Sequence, residues 1–465
     1  MDSSLLSTEK PAEPDATEVK SYKRRWLMLF IFCLYSFSNS YQWIHLNIIA
    51  NVMLRYYNES LPGDTYQKET AVDWLSLVFM LAYIPLIFPA TWLMDRKGLR
   101  PCMLLGNFLN VLGAWLKCAS VSENRFWMLM IAQTICAIAQ LWVLETPPRL
   151  AAVWFGPTEV STATSIGVFG NQVGAAAGFL IPPQLVPNSP DLDQIGSDLA
   201  IMYYIGGGVT TVIFIITIFG YQNVPQKPPS RAQVIALKQW GTETYVSGLV
   251  RLMKNRGFVL LFISYGINTG CYYAIATLLN IEVLNYFKNA EKEAGQIGLT
   301  IVLVGIVGAI LAGIWLDKTR TFKGTSLGIY VLSMIGMVVF TFTLELDRIW
   351  VVFITAGALG LFMTGYLPVG FEFAAELTFP ENEGISSGLL NASAQTFGII
   401  MTLGMRAMMN KVNVMWANVV VFSALFIGTV MTGIIPADYR RQKAEKEVVN
   451  VELEVKHPTE EHKSV

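Results

Sequence analysis

Long apolar runs alternate with short polar breaks along almost the whole chain. A run of about 20 apolar residues is long enough to cross the hydrocarbon core of a membrane as a helix. The pattern predicts an all-α integral membrane protein with twelve membrane-spanning helices, at residues 26–50, 73–93, 100–119, 126–148, 160–183, 198–220, 257–281, 295–316, 324–344, 349–373, 384–409 and 413–435.

A long break with several prolines separates the first six predicted helices from the last six. It spans residues 221–256 and contains Pro225, Pro228 and Pro229. We therefore predict a cytosolic N-terminal tail, a six-helix half, a cytosolic inter-half loop, a second six-helix half and a cytosolic C-terminal tail, at residues 1–25, 26–220, 221–256, 257–435 and 436–465.

The composition excludes several other classes of protein. Hydrophobic residues make up 53% of the chain and charged residues only 14%, whereas soluble domains carry about 25% charged residues. The net charge of −1 argues against a nucleic-acid partner. The five cysteines all lie inside apolar runs and form no CxxC pair, so no disulfide framework is expected. We find no nucleophile–base pattern and no metal-ligand spacing, and we expect neither an enzyme nor a bound metal or cofactor.

The distribution of Lys and Arg predicts the orientation in the bilayer. If the N-terminus is cytosolic, the inner segments hold 21 basic residues and the outer segments and outer helix ends hold 9, among them Lys117 and Arg406, with the distal tails left out. The positive-inside rule then places both termini in the cytosol. The sequon Asn58-Glu59-Ser60 falls in the first predicted outer loop, so we expect N-glycosylation at Asn58.

An internal repeat relates the two halves. Asp95 and Asp317 lie 222 residues apart, and Gln172 and Gln395 lie 223 residues apart. An offset that hardly changes over a long stretch indicates that the halves share an origin, as in many transporters.

The repeat places an acid and then a base after the second and the eighth predicted helices. These pairs are Asp95-Arg96 and Asp317-Lys318. Such charges can hold the cytosolic side closed, through a helix N-terminus or a carboxylate on a neighbouring helix. Ordinary positive-inside topology is the alternative, but the duplicated placement favours a gate.

Several amide side chains fall inside the predicted helices. Gln140, Gln172 and Gln395 each lie about 11–14 residues from a helix end, which at 1.5 Å per residue is near mid-bilayer. A single buried amide is as often interhelical glue as a substrate contact, but several at one depth favour a polar cavity. The candidates are Gln140, Asn171, Gln172, Asn268, Asn391 and Gln395.

Two aromatic residues occupy equivalent positions in the two halves. An offset of 230 aligns Trp43 of the first helix with Tyr273 of the seventh. Membrane tryptophans usually lie in the interfacial belt or pack between helices. The pairing across the halves favours instead a cage for a desolvated organic cation, held by ring faces at about 0.5–2 kcal/mol each. Met80 of the second helix is a candidate for an apolar wall of this cage.

No Asp or Glu is predicted at mid-depth in helices one, four, five, seven or eleven. Glu145 is expected near the inner end of the fourth helix, in a local ion pair with Arg149. Proton-coupled carriers usually place an ionisable group in the pathway. The pattern therefore favours facilitated diffusion, in which the membrane potential draws a cation inward with about 2.3 kcal/mol per charge per 100 mV.

Particular stretches resemble the feline leukaemia virus subgroup C receptor family, within the major facilitator superfamily. They are Tyr41-Gln42-Trp43-Ile44, Asp73-Trp74-Leu75-Ser76, Gly113-Ala114-Trp115, Val153-Trp154-Phe155-Gly156, Gly170-Asn171-Gln172, Pro228-Pro229-Ser230-Arg231-Ala232-Gln233, Met363-Thr364-Gly365-Tyr366-Leu367-Pro368 and Gly384-Ile385-Ser386-Ser387-Gly388-Leu389-Leu390-Asn391. The resemblance runs from about residue 22 to about residue 445. His45 and Glu145 depart from it, since the family often has Gln and Gly at these positions.

The resemblance implies two pseudo-symmetric six-helix halves and transport of choline and ethanolamine, with haem export as an older assignment. It also implies that an aromatic cage from helices one and seven binds choline. The family's site positions match Trp43, Tyr273, Met80, Gln140, Asn171 and Gln395 of this chain.

Three functions remain open from the sequence. The first is a facilitative carrier of choline or ethanolamine, expected as a monomer in the plasma membrane. The second is a haem exporter, for which His45 is the only intramembrane histidine and thus the candidate axial ligand. The third is a receptor or scaffold without transport, which explains duplicated halves with polar interiors poorly.

Overall fold

A computed structural model of the protein describes residues 20–156, 159–229, 245–379, 381 and 383–443, and the side chains of residues 161, 245, 246, 317 and 383 lie outside it. Twelve long helices occupy most of this part of the chain. They are α1 Arg24–Ile44, α2 Thr65–Lys97, α3 Leu99–Ala119, α4 Phe126–Trp154, α5 Val160–Leu185, α6 Leu192–Gly220, α7 Arg256–Tyr286, α8 Glu291–Thr319, α9 Phe322–Leu344, α10 Ile349–Thr378, α11 Glu383–Lys411 and α12 Val414–Ile434.

The described residues form helices and connecting turns without any strand, so the predicted all-α class is confirmed. Ten of the twelve long helices are long and apolar enough to cross a membrane. The other two, α1 and α11, contain buried polar residues such as Asn39 and Gln395, which lower their mean hydropathy. Those two helices carry much of the candidate site.

The first predicted helix, 26–50, is wrong only in its last six residues. Helix α1 ends at Ile44 and is followed by a 3-10 turn, Asn47–Ile49, and a short helix, Ala50–Tyr56. The carbonyl oxygen of Gln42 accepts hydrogen bonds from two side chains near this end, as described below, and these compete with the regular helical ladder.

Several other helices run beyond their predicted ends. Helix α2 begins at Thr65 because the side chain of Asp64 caps it and accepts a hydrogen bond from the backbone N–H of Gln67. Helix α4 continues to Trp154 with Pro147 and Pro148 inside it. A further helix, Tyr245–Lys254, lies within the predicted inter-half loop.

Equivalent helices pair closely in the two halves. Helix α1 packs on α5, and α7 packs on α11. Small residues of α5 allow the first pairing, since Gly170 and Gly178 lie against the backbone of Cys33 and Tyr41. Glycines of α7, such as Gly270, lie against α11 in the same way. The close approach brings the aromatic residues of α1 and α7 toward the centre of the molecule.

The two halves meet along two equivalent helix pairs, α2 with α11 and α5 with α8. We call outer the side that the distribution of Lys and Arg assigns away from the cytosol. Near that side, Arg406 of α11 binds Asp73 of α2 through two hydrogen bonds, from Nε to Oδ2 at 2.6 Å and from Nη2 to Oδ1 at 2.9 Å. Glu69 accepts from Arg406 and from Asn410 at 3.4 Å and 2.9 Å. We call Glu69, Asp73, Arg406 and Asn410 the outer lock.

Further hydrogen bonds close the outer side around this lock. Asn280 of α7 donates to the carbonyl of Ile48 at 2.8 Å and to Asn51 Oδ1 at 3.1 Å. The hydroxyls of Ser76 and Thr277 lie 3.0 Å apart. Since the partners come from opposite halves, this conformation is closed on the outer side.

Candidate functional site

The predicted aromatic pair is brought together at the junction of the halves. The ring centroids of Trp43 and Tyr273 lie 5.6 Å apart and the ring planes meet at 74°. Both side chains are partly exposed although their helices are central. Two planes at this angle form a corner in which one small group can contact both ring faces.

The third predicted member, Met80 of α2, lies beside the same corner. A Cβ atom placed on Gly398 of α11 would come within 2.7 Å of Met80 Sδ and 3.3 Å of the Tyr273 ring. Gly398 thus lets α11 approach both side chains, a role that the sequence analysis missed. Trp43, Tyr273 and Met80 are the members of the cage predicted from the sequence, and these three residues are called the aromatic cage below.

Gln42, the residue before Trp43, forms hydrogen bonds through both polar atoms of its side chain and through its backbone carbonyl. Its side-chain oxygen accepts from Lys117 Nζ at 2.9 Å and from Cys136 Sγ at 3.2 Å, and its Nε2 donates to Asn110 Oδ1 at 2.8 Å. Its backbone carbonyl accepts from Gln133 Nε2 at 3.1 Å. These partners belong to α3 and α4, so two neighbouring helices fix the end of α1 from which Trp43 projects.

Lys117 is buried, which the sequence analysis did not anticipate when it counted this residue among the outer charges. Of the lysines in the described ranges, Lys117 alone is fully buried. It lies in the last turn of α3, where the helix dipole favours a cation. Cys136, which shares its acceptor on Gln42, forms with Phe79 and Ala137 a buried cluster against which Trp43 packs.

His45 takes part in the same network. Its ring is buried and its Nδ1 lies 3.0 Å from the carbonyl oxygen of Gln42. Its backbone N–H donates to the carbonyl of Tyr41 at the end of α1. The residue therefore terminates a helix, and its burial gives no support to a role as an exposed haem ligand.

Two of the predicted amides keep buried polar atoms without a partner in the described part of the chain. They are Oε1 of Gln140 and both polar atoms of Asn268. A buried polar group without a hydrogen bond costs about 1–3 kcal/mol. Such groups often mark a position where a water or a ligand binds.

The remaining predicted amides surround the centre without a described contact to the aromatic cage. Asn171 and Gln172 of α5 and Asn391 of α11 are half-buried, and Gln395 of α11 is buried. Gln395 lies one turn before Gly398 along α11, so this helix places an amide next to the cage.

Glu145 lies deeper than the sequence indicated. Helix α4 runs to Trp154, so Glu145 lies nine residues, or about 14 Å, inside the helix end. Its Oε1 accepts a hydrogen bond from the hydroxyl of Tyr83 at 2.9 Å. Arg149, its expected partner, forms an ion pair with Asp95 of α2.

The two acid–base pairs lie inside the last helical turns rather than in loops. Asp95 binds Arg149, and the guanidinium of Arg96 lies 5.2 Å from the ring centroid of Trp92. The helix ends after each pair at residues with positive φ, Gly98 and Arg320, which are also 222 residues apart. The described contact of Asp95 ties α2 to α4 within one half.

In the second half, Lys318 is exposed in the last turn of α8. The side chain of Asp317 lies outside the described part of the structure. The predicted gate in this half therefore stays a prediction.

The predicted glycosylation site lies on an accessible loop. Asn58 is exposed between the short helix Ala50–Tyr56 and α2, and its Oδ1 accepts a hydrogen bond from Lys68 Nζ at 2.9 Å. Its modification stays a prediction.

The carboxylate of Glu282 is placed inside a helix by a boundary that lies later than the predicted one. The seventh helix was predicted to end at residue 281, but α7 continues to Tyr286 and places Glu282 inside it, fully buried. Only the length of a helix beyond its apolar run could have revealed this residue.

Comparisons with known proteins agree with the fold and the resemblance. A model of the Major Facilitator Superfamily matches residues 27–403 and 261–459. The chain is 48% identical over 433 residues to the choline/ethanolamine transporter flvcr2a of Danio rerio, covering 93% of this chain and 90% of that protein. It is 47% identical over 441 residues to the choline/ethanolamine transporter FLVCR2 of Homo sapiens, covering 95% and 82%.

Solved structures of transporters share the fold. A bacterial homologue of the human lysosomal transporter Spinster, in an inward-facing conformation, matches with a TM-score of 0.68 at 13% identity, covering 91% of this chain and 99% of that one. The Escherichia coli fucose:proton symporter matches with a TM-score of 0.60 at 14% identity, covering 89% and 100%. The protein is therefore a multi-pass membrane transporter of the major facilitator superfamily and, within it, a member of the feline leukaemia virus subgroup C receptor family.

Proposed function

We propose that the protein is a facilitative transporter of choline and ethanolamine that works by alternating access. The observation that carries the proposal is the partly exposed corner formed by Trp43 and Tyr273, one ring from each half. The printed names of the curated relatives, which are choline/ethanolamine transporters, support the same substrate class.

The corner suits a quaternary ammonium group for a physical reason. Choline cannot donate N–H hydrogen bonds, so the protein must stabilise its charge through ring faces, at about 0.5–2 kcal/mol each. Met80 adds a polarisable wall beside Tyr273. Because the rings come from opposite halves, the ammonium group would contact both halves at once.

The amides serve the other end of the substrate. Choline and ethanolamine both carry a hydroxyl group, and the unpartnered Oε1 of Gln140 is an acceptor for it. Asn171, Gln172 and Gln395 are proposed as further contacts on α5 and α11.

Alternating access requires that the two sides close in turn. The outer lock, which joins α2 to α11, is the proposed outer gate. The acid–base pairs Asp95-Arg96 and Asp317-Lys318 are the proposed elements of the inner gate. Opening the outer side must break the lock between Asp73 and Arg406.

Transport is proposed to be uniport. The membrane potential alone supplies about 2.3 kcal/mol per charge per 100 mV for an inward-moving cation. We propose a monomer in the plasma membrane with both termini in the cytosol and with Asn58 glycosylated, so that inward movement corresponds to uptake into the cell.

Flux in proteoliposomes tests the proposal directly. The purified protein is expected to carry labelled choline and ethanolamine when a potassium diffusion potential is imposed, without a sodium or proton gradient. Trp43→Ala and Tyr273→Ala are each expected to raise the choline KM about twofold to thirtyfold, because each ring face is worth about 0.5–2 kcal/mol. Trp127→Ala, a change at an exposed tryptophan, is the matched control and should behave as wild type.

The outcomes separate the three candidate functions. Normal choline flux in both cage variants would refute the cage. Haem flux in the same vesicles, with no flux of choline or ethanolamine, would replace the carrier by a haem exporter. The absence of any substrate-dependent flux would favour a receptor or scaffold.

A further inference from the structure

A carboxylate without a basic partner lies at the junction of the halves. Glu145 of α4 binds Tyr83 of α2. A Cβ atom placed on Gly388 of α11 would come within 3.6 Å of its Oε1. The group therefore lies among α2, α4 and α11, and α11 belongs to the opposite half.

The surroundings of Glu145 do not neutralise its charge. In the described part of the chain it forms no ion pair with a basic side chain, and Arg149, one turn further along α4, pairs with Asp95. Its side chain is only half-buried. Ionisable groups inside the membrane are costly, and their usual place is a substrate or ion pathway.

The position of Glu145 is inward of the aromatic cage. Its partner Tyr83 lies one turn of α2 further from the outer end than Met80 of the cage. Gly388 likewise precedes Gly398 by ten residues along α11, on the inner side. The carboxylate therefore lies on the inner side of the cage.

We propose that Glu145 forms a second, acidic binding position for the substrate ammonium group, on the inner side of the aromatic cage. This inference rests on the proposed function, because it assumes an organic cation as the substrate. The position favours a primary ammonium group. Such a group donates N–H hydrogen bonds to a carboxylate, and charge-assisted bonds of this kind are roughly twice as strong as neutral ones. A trimethylammonium group offers no such donor.

The two positions thus divide the substrate range. The aromatic cage serves choline through ring faces, and Glu145 serves ethanolamine through hydrogen bonds. Glu145 is a specificity-determining residue in this arrangement. Its removal must therefore change the KM of ethanolamine more than the KM of choline.

The test compares the KM of both substrates in Glu145→Gln, which keeps the shape of the side chain and its acceptor for Tyr83. We expect the ethanolamine KM to rise about tenfold, the size of one lost hydrogen bond of about 1.4 kcal/mol. The choline KM should change by less than about threefold. An unchanged ethanolamine KM, or an equal rise for both substrates, would overturn the proposal.

A second variant separates substrate binding from a purely structural role. Tyr83→Phe removes the hydroxyl donor but leaves the carboxylate free for substrate, so the ethanolamine KM should stay the same or fall. If Glu145 only held Tyr83 in place, both variants would impair transport alike. Glu345→Gln, at an exposed residue after α9, is the matched control and should leave both KM values unchanged.

Folding is checked by the amount of protein at the membrane and by gel filtration. Should Glu145→Gln fail to fold, Glu145→Asp takes its place, since the shorter carboxylate draws back from the substrate and the same direction of change is expected. If wild type carries neither substrate, the proposed function itself fails. If the cage variants lose choline transport while the Glu145 variants match wild type, only this inference fails.

Discussion

At the scale of single residues, the position of Trp43 in the cage depends on the hydrogen bonds of its neighbour Gln42. Five side chains contact its polar atoms: Lys117, Cys136, Asn110, Gln133 and His45. A buried network that is well satisfied holds its members rigidly. These bonds fix the end of α1, and they thereby fix the position of Trp43, which lies in the same turn.

Lys117 tests whether this network matters for transport. Lys117→Met removes the ammonium donor to Gln42 and replaces it by an apolar side chain of similar length. We expect the free energy of unfolding to change by less than about 1 kcal/mol, because the cost of burying a charge is removed together with the hydrogen bond. The choline KM should nevertheless rise about threefold to tenfold, since Gln42 loses a charge-assisted bond of about 1.5–3 kcal/mol.

The measurement combines thermal unfolding in detergent with choline uptake. Cys118→Ala is the control, because Cys118 neighbours Lys117 and its thiol contacts only its own helix among the described hydrogen bonds. If Lys117→Met lost stability and transport to the same extent, the network would contribute to folding only and the prediction would be wrong.

At the scale of helices, the close packing of α1 on α5 determines where Trp43 of the cage lies. A Cβ atom placed on Gly174 would lie 2.9 Å from the Cα atom of Phe37, closer than real Cβ atoms come. Phe37 lies on α1 between the polar network and the inner end. Any side chain at Gly174 must therefore push α1 away from α5.

Gly174→Ala is expected to destabilise the protein by about 1–3 kcal/mol, the usual cost of overpacking a tight contact. Choline uptake should fall further than the loss of folded protein explains, because a displaced α1 also displaces Trp43. Gly208→Ala on α6, where a Cβ atom meets nothing within 4 Å, is the matched control. Equal unfolding temperatures of the two variants would contradict the argument.

At the scale of the whole molecule, the conformation depends on contacts between the halves. The ion pair at the centre of the outer lock is buried, with about 1% of the side chains of Asp73 and Arg406 exposed. Removing one member of a buried ion pair costs about 3–5 kcal/mol, because the other charge is left uncompensated. That cost applies only to the outer-closed conformation, in which the pair is formed and buried.

Asp73→Asn should therefore shift the population toward conformations that are open on the outer side. The readout is labelling of Ser76→Cys by a membrane-impermeant maleimide, in a background in which the five native cysteines are replaced. Ser76 is fully buried beside Thr277 in the closed conformation, so labelling is expected to increase severalfold in Asp73→Asn. Asp438→Asn breaks an exposed ion pair with Arg440 and should leave the labelling unchanged.

The sequence by itself determined the number of helices, the division into halves and the identity of the two aromatic residues. The first two follow from the bilayer, which demands apolar helices of a minimum length. The third follows from the repeat, because duplicated halves place residues 230 apart at equivalent depths. Trp43 and Tyr273, one from each half, indeed lie in contact.

Only the tertiary structure decided which polar residues are buried and what they bind. Lys117 and Arg406 looked like outer surface charges, yet both are buried, and the partner of Arg406 lies 333 residues away in the chain. Glu145 was placed too shallow because α4 continues beyond its apolar run. A hydropathy pattern reports the lipid around a helix, whereas the partner of a buried charge is chosen by helices that meet only after folding.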